Sequence, residues 1–591
     1  MKKITVNSII SLLFGLIIFL LGIILQKLDN TIEISTISAS ALCLSFITYL
    51  ILQPFYLEKI KYYFNEIDWA ECIVNFYQSI PVIYRKSFWL TFLFVNIAFL
   101  FHTIHFMWGA FDWEAIRFNV NTQNAINQGR FSAYALQNLL FDGKILPVIN
   151  NLWSFIGLSL GGILLAYYWE LPKKVSTYTV TALFFAITPY TLGWLYHTQN
   201  TLGNLWLPAF ILTSLIISQK ATNSLNKSYL QNLIAITLLI ITLGTYFASI
   251  NFIGVVILGK IFLSVATQNL TVKDVATRQL QGLANLTASI LIYTFIIILL
   301  KYDSSLQTHI NITPPTSFAH FSLLFSSMLK QFVTPYPFID ITYKTLTLLL
   351  ALVTIFTTIN KANNPKSALT CLLLLPLILI SSRITCLFTY KQVLENQVLQ
   401  DFYTLPILYT LFIALLLKVD TPLIKRFAYG LSILLIFMSF VRIAYALKVW
   451  KFGFDAELKL SERIITRLEK MPTFNIEKKY QLLQIGKLPM RSRYYINQNN
   501  EKNNELLNFA YFEPQNSSHA FNFFYQTDFL ENNVSLFDAI QNKEIENFIM
   551  QKAKAWPHKD SIFIKDEYIV IIMDYEHLYD ARQKIANKKS R

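Results

Sequence analysis

Residues 111–137 read FDWEAIRFNVNTQNAINQGRFSAYALQ, and apolar runs long enough to cross a bilayer stand on both sides of them. The segment gathers Asp112, Glu114, Arg117 and Arg130 into one polar island. Charged groups cost several kcal/mol in hydrocarbon, so an island between two spans lies at the membrane surface or lines a cavity. An interfacial amphipathic segment would merely turn these charges to water. Their density argues for more. Asp112 and Glu114 sit two apart, Arg117 follows Glu114 by three, and Gly129-Arg130 closes the segment after an Asn/Gln-rich stretch. Carboxylates beside guanidinium groups join a base to an anion clamp, the pairing that transfer from a phosphate leaving group needs.

The composition sets the frame around the island. With 591 residues, 54% hydrophobic and only 14% charged, and a mean hydropathy of +0.43, the chain reads as an integral membrane protein rather than a soluble one. Its 48 Phe and 31 Tyr suit lipid-facing surfaces and interfacial belts. The net charge of +15 sits largely in short loops between spans, so it reports orientation and is no sign of nucleic-acid binding. Cys43, Cys72, Cys371 and Cys386 show no CxxC or metal spacing and read as unpaired apolar fillers. His102 and His105 lie three apart at the end of a span with no third ligand nearby, so an interfacial role is expected and no metal. Met1-Lys2-Lys3 before a long apolar run at 9–25 reads as a retained signal anchor.

Windows of about 19 apolar residues place about thirteen spans. They fall at 7–25, 38–52, 87–106, 152–169, 175–195, 205–217, 230–246, 250–266, 283–300, 345–359, 368–380, 402–417 and 427–445. Residues 53–86 read as an amphipathic segment on the cytoplasmic face, and 133–149 as an interfacial helix. Alternate loops carry Lys173 and Lys174, Lys220 and Lys227, Lys273 and Arg278, Lys361 and Lys366, then Lys418, Lys425 and Arg426. These fall on the side of Lys2 and Lys3, which puts the island and the tail on the extracytoplasmic side. The expected division is a transmembrane unit at 1–447, with an outer loop at 105–150, and a soluble extracytoplasmic α/β unit at 448–591. Within that tail, 455–470 and 536–555 read as helix, 480–488 and 519–525 as strand, and 561–574 as a hairpin turning at Lys565-Asp566-Glu567.

Further polar places stand out. Thr188-Pro189-Tyr190 leads to Tyr196 and His197 at the outer end of a span, where a histidine suits a phosphate or sugar as well as an ordinary belt. YFASIN at 246–251 is a polar notch between two apolar runs and reads as a tight outer turn. The loop 301–344, with His309, His320 and Lys330, is long enough to cover a site. Arg383 and Lys391 put positive charge in another outer loop, against the positive-inside tendency, and so point to a phosphate partner.

Glu114-x-x-Arg117 followed by Gly129-Arg130 resembles the first outer loop of serotype-converting bacterial O-antigen glucosyltransferases of the Gtr type. In that loop an acidic pair, an arginine three residues on and a later Gly-Arg recur. Glu114 falls where the second acid of the pair stands, while Trp113 takes the other acidic place and Asp112 lies one position earlier. The segment from Thr188 to Gln199 is similar to a second family stretch, with His197 and Gln199 in place of its Arg and Asp. The resemblance implies a polytopic α-helical membrane enzyme of the GT-C type. In such an enzyme a sugar, glucose for this family, passes from a polyprenyl phosphate to a surface glycan on the outer face of the bacterial inner membrane. It implies Glu114 or Asp112 as the base and Arg117, Arg130, Arg383 and Lys391 on the donor phosphate, with Tyr196 and His197 on the substrate. Neither a metal nor another cofactor is implied. A transporter or flippase of lipid-linked sugars, or a glycan polymerase or ligase, are the other readings. The first would need charges within spans and often repeated halves, neither of which is clear in the sequence.

Overall fold

The computed structural model describes residues 69–105, 107, 129–195, 198–220, 225–268, 270–299, 322, 326, 339–361, 365–385, 404–486, 517–525, 527–530 and 534–589. A short helix α1 (Trp69–Ser79) precedes a helical bundle. The bundle comprises α2 (Val82–Ile104), α3 (Phe131–Phe141), α4 (Pro147–Tyr168), α5 (Val175–Ala186), α6 (Thr198–Lys220), α7 (Leu225–Thr245) and α8 (Ser249–Gln268). It is completed by α9 (Val272–Leu299), α10 (Ile341–Lys361), α11 (Pro365–Ser381), α12 (Leu405–Lys418) and α13 (Pro422–Glu469). Among the described residues, α2, α4, α8, α9, α10 and α13 are long and apolar enough to cross a membrane. The fold is that of a mostly helical, polytopic membrane protein.

Helix starts follow the sequence. Proline occupies the first turn of α4, α12 and α13, where its missing N–H costs nothing. The spans expected at 7–25 and 38–52, and most of the amphipathic segment at 53–86, lie outside the described residues. Every other expected span falls on a helix. The run 175–195, however, is one helix only to Ala186. Pro189 has no N–H to continue it, and Thr188 instead accepts from the Tyr190 N–H to start a tight turn, Pro189–Thr191, and then a short helix, Leu192–Leu195. The interfacial helix expected at 133–149 ends at Phe141, where Asp142 and Gly143 take positive φ (53° and 69°).

Close packing fixes the bundle where α4 meets α6. A Cβ on Gly157 would lie 2.5 Å from the Trp206 ring, and one on Gly161 2.6 Å from Pro208, so the small residues let the two helices touch backbone to side chain. Strictly alternating helices give the bundle two ends. The end bearing 129–146, 189–195, 198–204, 246–249, 339–344 and 382–385 is here the island end. Helix α13 starts at the opposite end, passes the island end near Arg442, which pairs with Asp340, and continues to Glu469. Its 48 residues extend roughly 72 Å, more than twice the ~30 Å hydrocarbon thickness. The change in composition near Val449 therefore falls inside a helix, not at a break.

Beyond α13 lies a three-stranded sheet in the order β1-β3-β2. Strand β1 (Gln481–Ile485) runs parallel to β3 (Tyr568–Ile572), and β2 (Ile562–Lys565) antiparallel to it. The β2–β3 hairpin turns where the sequence placed it, with Asp566 at φ 54°. Residues 519–525, expected as strand, belong instead to helix α14 (Ser517–Tyr525). Phe521 packs on the Phe529 ring while the neighbouring Asn522 bonds the Phe529 backbone, and a strand would send those two side chains to opposite faces. The helix expected over 536–555 is interrupted, because Ser535 and Asn542 each cap a new start. The terminal helix α15 (Tyr575–Lys589) covers the sheet through Leu578, Ala581 and Ile585. Arg467, near the end of α13, stacks on Trp556 at 4.3 Å and donates to the Pro557 and His558 carbonyls, fastening the sheet region to the helix.

Candidate active site at the island end

The YFASIN notch is the hub. It forms the tight turn read from the sequence, with the Ser249 N–H donating to the Tyr246 carbonyl at 3.0 Å, and Tyr246, Phe247 and Asn251 each reach a different element. Tyr246 faces the Trp194 ring at 5.7 Å and lies under the Arg130 guanidinium, whose carbon is 5.6 Å from the ring centre. Phe247 stacks on Tyr293 of α9 at 5.6 Å. The Asn251 amide clamps Thr385 twice, donating to its hydroxyl at 2.8 Å and accepting from its N–H at 3.0 Å. That clamp fixes the turn after α11 that carries Arg383, whose side chain is buried at 2% exposure.

Arg130 is set by its neighbours. Gly129 has φ +73°, and a Cβ there would also come within 2.7 Å of the Tyr293 hydroxyl, so the position demands glycine on both counts. Burial lowers the Arg130 pKa from its ordinary value, against upward pulls from Tyr246 and Tyr293, and a guanidinium still keeps its proton. Among the described residues no carboxylate pairs with it. A cation lying on an aromatic face, with no carboxylate beside it among the described residues, is a ready holder for an anion.

Next to this wall is a cavity of about 40 Å³ between α4, α5, α6, α8 and α12, bordered by Trp194, Tyr190, Phe252, Leu158, Asn204 and Ser249. Tyr190 is buried and accepts a hydrogen bond from the Lys344 ammonium at 3.0 Å. Lys344 is itself only 3% exposed, and a turn away Asp340 pairs with Arg442. Seven residues outward from Leu158 on the same face of α4, Asn151 is fully buried with neither amide atom hydrogen-bonded.

Of the residues expected from the sequence, the structure brings Arg130 and Arg383 to the two sides of one turn. Asp112, Glu114, Arg117, Tyr196, His197 and Lys391 lie outside the described residues, as does most of the loop 301–344. The two histidines of α2 part company: His102 is buried and stacks on Trp450 at 5.1 Å, while His105 is exposed beside Phe101. Cys371 is a buried free thiol. Lys344 and Asn151 were missed. Lys344 closes the outer loop 301–344 in the sequence, and only the tertiary fold buries it against Tyr190. Asn151 and its neighbour Asn150 interrupt the polar-to-apolar edge of α4, a faint signal in retrospect.

An apolar helical bundle with a cation on an aromatic wall and a recess at one end defines a polytopic membrane protein. The family model described as glucosyl transferase GtrII matches residues 110–416, just over half the chain, and the chain belongs to that family. It is a membrane glycosyltransferase of the glucosyltransferase type. The match begins at the island and ends within α12, so it contains the notch, the cavity and both arginines. No curated protein and no solved structure matches the chain.

Proposed function

We propose that the chain transfers a sugar, glucose by family membership, from a polyprenyl phosphate to a hydroxyl of a surface glycan. The reaction takes place at the extracytoplasmic face of a bacterial inner membrane. The observation that carries the reading is Arg130, a cation with no carboxylate partner among the described residues, laid on Tyr246 inside the family's matched region. In the reaction Glu114 or Asp112 takes the proton of the acceptor hydroxyl as its oxygen bonds the sugar's anomeric carbon. The bond from that carbon to the phosphate oxygen breaks, and the electron pair leaves with the polyprenyl phosphate. Arg117, Arg130, Arg383 and Lys391 hold the charge that develops there, and Tyr196 and His197 contact the substrate. In-line displacement inverts the anomeric centre, and the balance needs neither nucleotide nor metal. Residues 448–591 form the extracytoplasmic unit, carried on α13, that meets the acceptor.

The test is transfer from a synthetic polyprenyl-phosphate glucose to purified surface glycan by the detergent-solubilised full chain, with and without EDTA. Wild type is expected to transfer equally in both. One of Glu114→Gln and Asp112→Asn is expected to lose about 10²- to 10⁴-fold. Movement of the lipid across liposomes with no transfer would replace the reading by a transporter, and full activity in both carboxamides would remove the island from the chemistry.

A further inference from the structure

The apolar run ILIYTFIIIL at 290–299 of α9 holds one residue that packing alone does not call for. Leu291, Ile292, Phe295 and Ile298 are exposed on the outer side of the helix, whereas Tyr293 turns inward and is 4% exposed. A phenylalanine would fill that place as well, so the buried hydroxyl needs its own account. Its neighbour Thr294 returns its hydroxyl to the Ile290 carbonyl of the same helix at 2.8 Å. Tyr293 instead reaches across to another element. Its hydroxyl donates to the Gly129 carbonyl at 3.4 Å, and only a glycine there leaves it room.

The ring of Tyr293 reaches the other flank of Arg130. Phe131 stacks on it at 5.9 Å, so Tyr293 holds the residue before the arginine by its carbonyl and the residue after it by its side chain. Phe247 of the notch stacks on Tyr293 at 5.6 Å, while the adjoining Tyr246 lies under the guanidinium itself. Helix α7 presses on the same stretch, since a Cβ on Gly244 would fall 2.6 Å from the Phe131 ring and 2.4 Å from the Ser132 hydroxyl oxygen. Arg130 keeps part of its surface open, and Tyr293 is enclosed. The arginine can therefore meet a ligand, and the tyrosine can act only through it.

Resting on the sugar-transfer reading above, in which Arg130 holds the donor phosphate, we propose that Tyr293 is the positioning residue of Arg130. It fixes the backbone on both sides of the arginine, so that the guanidinium meets the departing phosphate with no reorganisation left to make. Tyr293 touches no substrate, and its whole effect on transfer passes through Arg130.

The experiment reads kcat and KM for polyprenyl-phosphate glucose in wild type, Tyr293→Phe and Tyr293→Leu, and in the same three chains carrying Arg130→Ala, with radiolabelled glucose to keep the weaker set measurable. Tyr293→Leu is expected to lower kcat/KM by about ten- to a hundredfold, the scale of a misplaced catalytic group. Tyr293→Phe keeps the stacked rings and loses only a long hydrogen bond, so about two- to fivefold is expected. In the Arg130→Ala set neither substitution should cost anything further, because the group that they displace is gone. A role in folding alone would carry the same loss into both sets. Equal fold losses in the two sets, or undiminished transfer by Tyr293→Leu, would overturn the inference and leave the transferase reading intact. Should Tyr293→Leu fail to fold, Tyr293→Phe in the two backgrounds decides by the same criterion. Absence of transfer by wild type, or an Arg130→Ala chain as active as wild type, would instead overturn the reading of Arg130 on which the inference rests.

Discussion

The C-terminus of α4 and the wall around Arg130 handle buried polarity in opposite ways. At the end away from the island, the C-terminus of α4 is closed by two lysines from distant helices. Lys260 donates to the Tyr168 carbonyl at 2.5 Å and to Glu170 at 2.7 Å, and Lys418 donates to the Trp169 carbonyl at 3.1 Å. Cations placed at the negative end of a helix dipole, on carbonyls that no helical N–H reaches, answer two needs at once. The Tyr168 hydroxyl adds a bond to Gln279 at 2.7 Å, and Gln219 donates to the same amide oxygen at 2.9 Å. At the island end, by contrast, Ser249 and Asn151 are buried without hydrogen-bond partners, and Arg130 lies on an aromatic face. The contrast is local to these groups, since Arg85, Thr179 and Thr181, toward the end away from the island, also carry a buried polar atom without a hydrogen-bond partner. Local rules of polar satisfaction break down chiefly where function requires it.

The sharpest way to test that contrast is to remove the open charge. Arg130→Ala is expected to cut transfer by about 10²- to 10³-fold, the usual effect of deleting one preorganised group that stabilises developing negative charge. Arg130→Lys should recover little, because a point-charge ammonium does not reproduce a planar guanidinium lying on Tyr246. The thermal unfolding midpoint in detergent should barely move in either variant. A large drop in stability with a proportionate loss of transfer would make Arg130 a structural residue and erase the difference between the ends.

The sequence carried these regions unequally. Spans were legible because roughly twenty apolar residues in a row admit few other folds, and prolines marked where several of them begin. Gly129-Arg130 was legible because the pair closes a polar island, and the YFASIN turn because polar residues interrupt two apolar runs. What each side chain touches was not. Lys344 meets Tyr190 across 154 positions, Lys260 meets Glu170 across 90, and Asp340 meets Arg442 across 102, separations that no local pattern encodes. The aromatic run at 519–525 misled because Phe-rich segments suit a pleated surface as well as a short helix, and only Phe529 decides between them. For Asp112, Glu114 and Arg117, the reading rests on their spacing and on the family match that begins two residues before Asp112.

The complementary experiment removes a closed charge. Lys260→Met keeps the length of the side chain and deletes its ammonium, leaving the Tyr168 carbonyl and Glu170 without their shared partner. The expected cost is about 1–3 kcal/mol of stability, the range for orphaning a buried acceptor. It should be visible as a lower unfolding midpoint, with transfer by the folded fraction unchanged. If transfer fell while the midpoint held, the two ends would be coupled in function and the division drawn above would fail.

Glu170 gives the smallest and most specific effect, through pH. Burial alone would raise its pKa, but the hydrogen bond and charge of Lys260, helped by Gln268 and Lys418, outweigh that and hold it below the ordinary 4.5. Because the folded value is the depressed one, the stabilisation is fully present above about pH 5 and fades as the pH falls through the folded pKa. Glu170→Gln keeps the shape at a residue with φ 54° and removes the titration. The carboxylate is 53% exposed, so solvent screening holds the effect below about 1 kcal/mol. The midpoint gap between wild type and Glu170→Gln should therefore be small at pH 7 and close as the pH falls below about 5 and through the folded pKa. In a Lys260→Met background the gap should shrink or reverse, since the strongest group that depresses the pKa is gone and burial, which raises it, is opposed only by Gln268 and Lys418. A gap that stayed constant with pH would mean that Glu170 acts through its backbone geometry and not its charge, and the capping of α4 would then rest on the lysines alone.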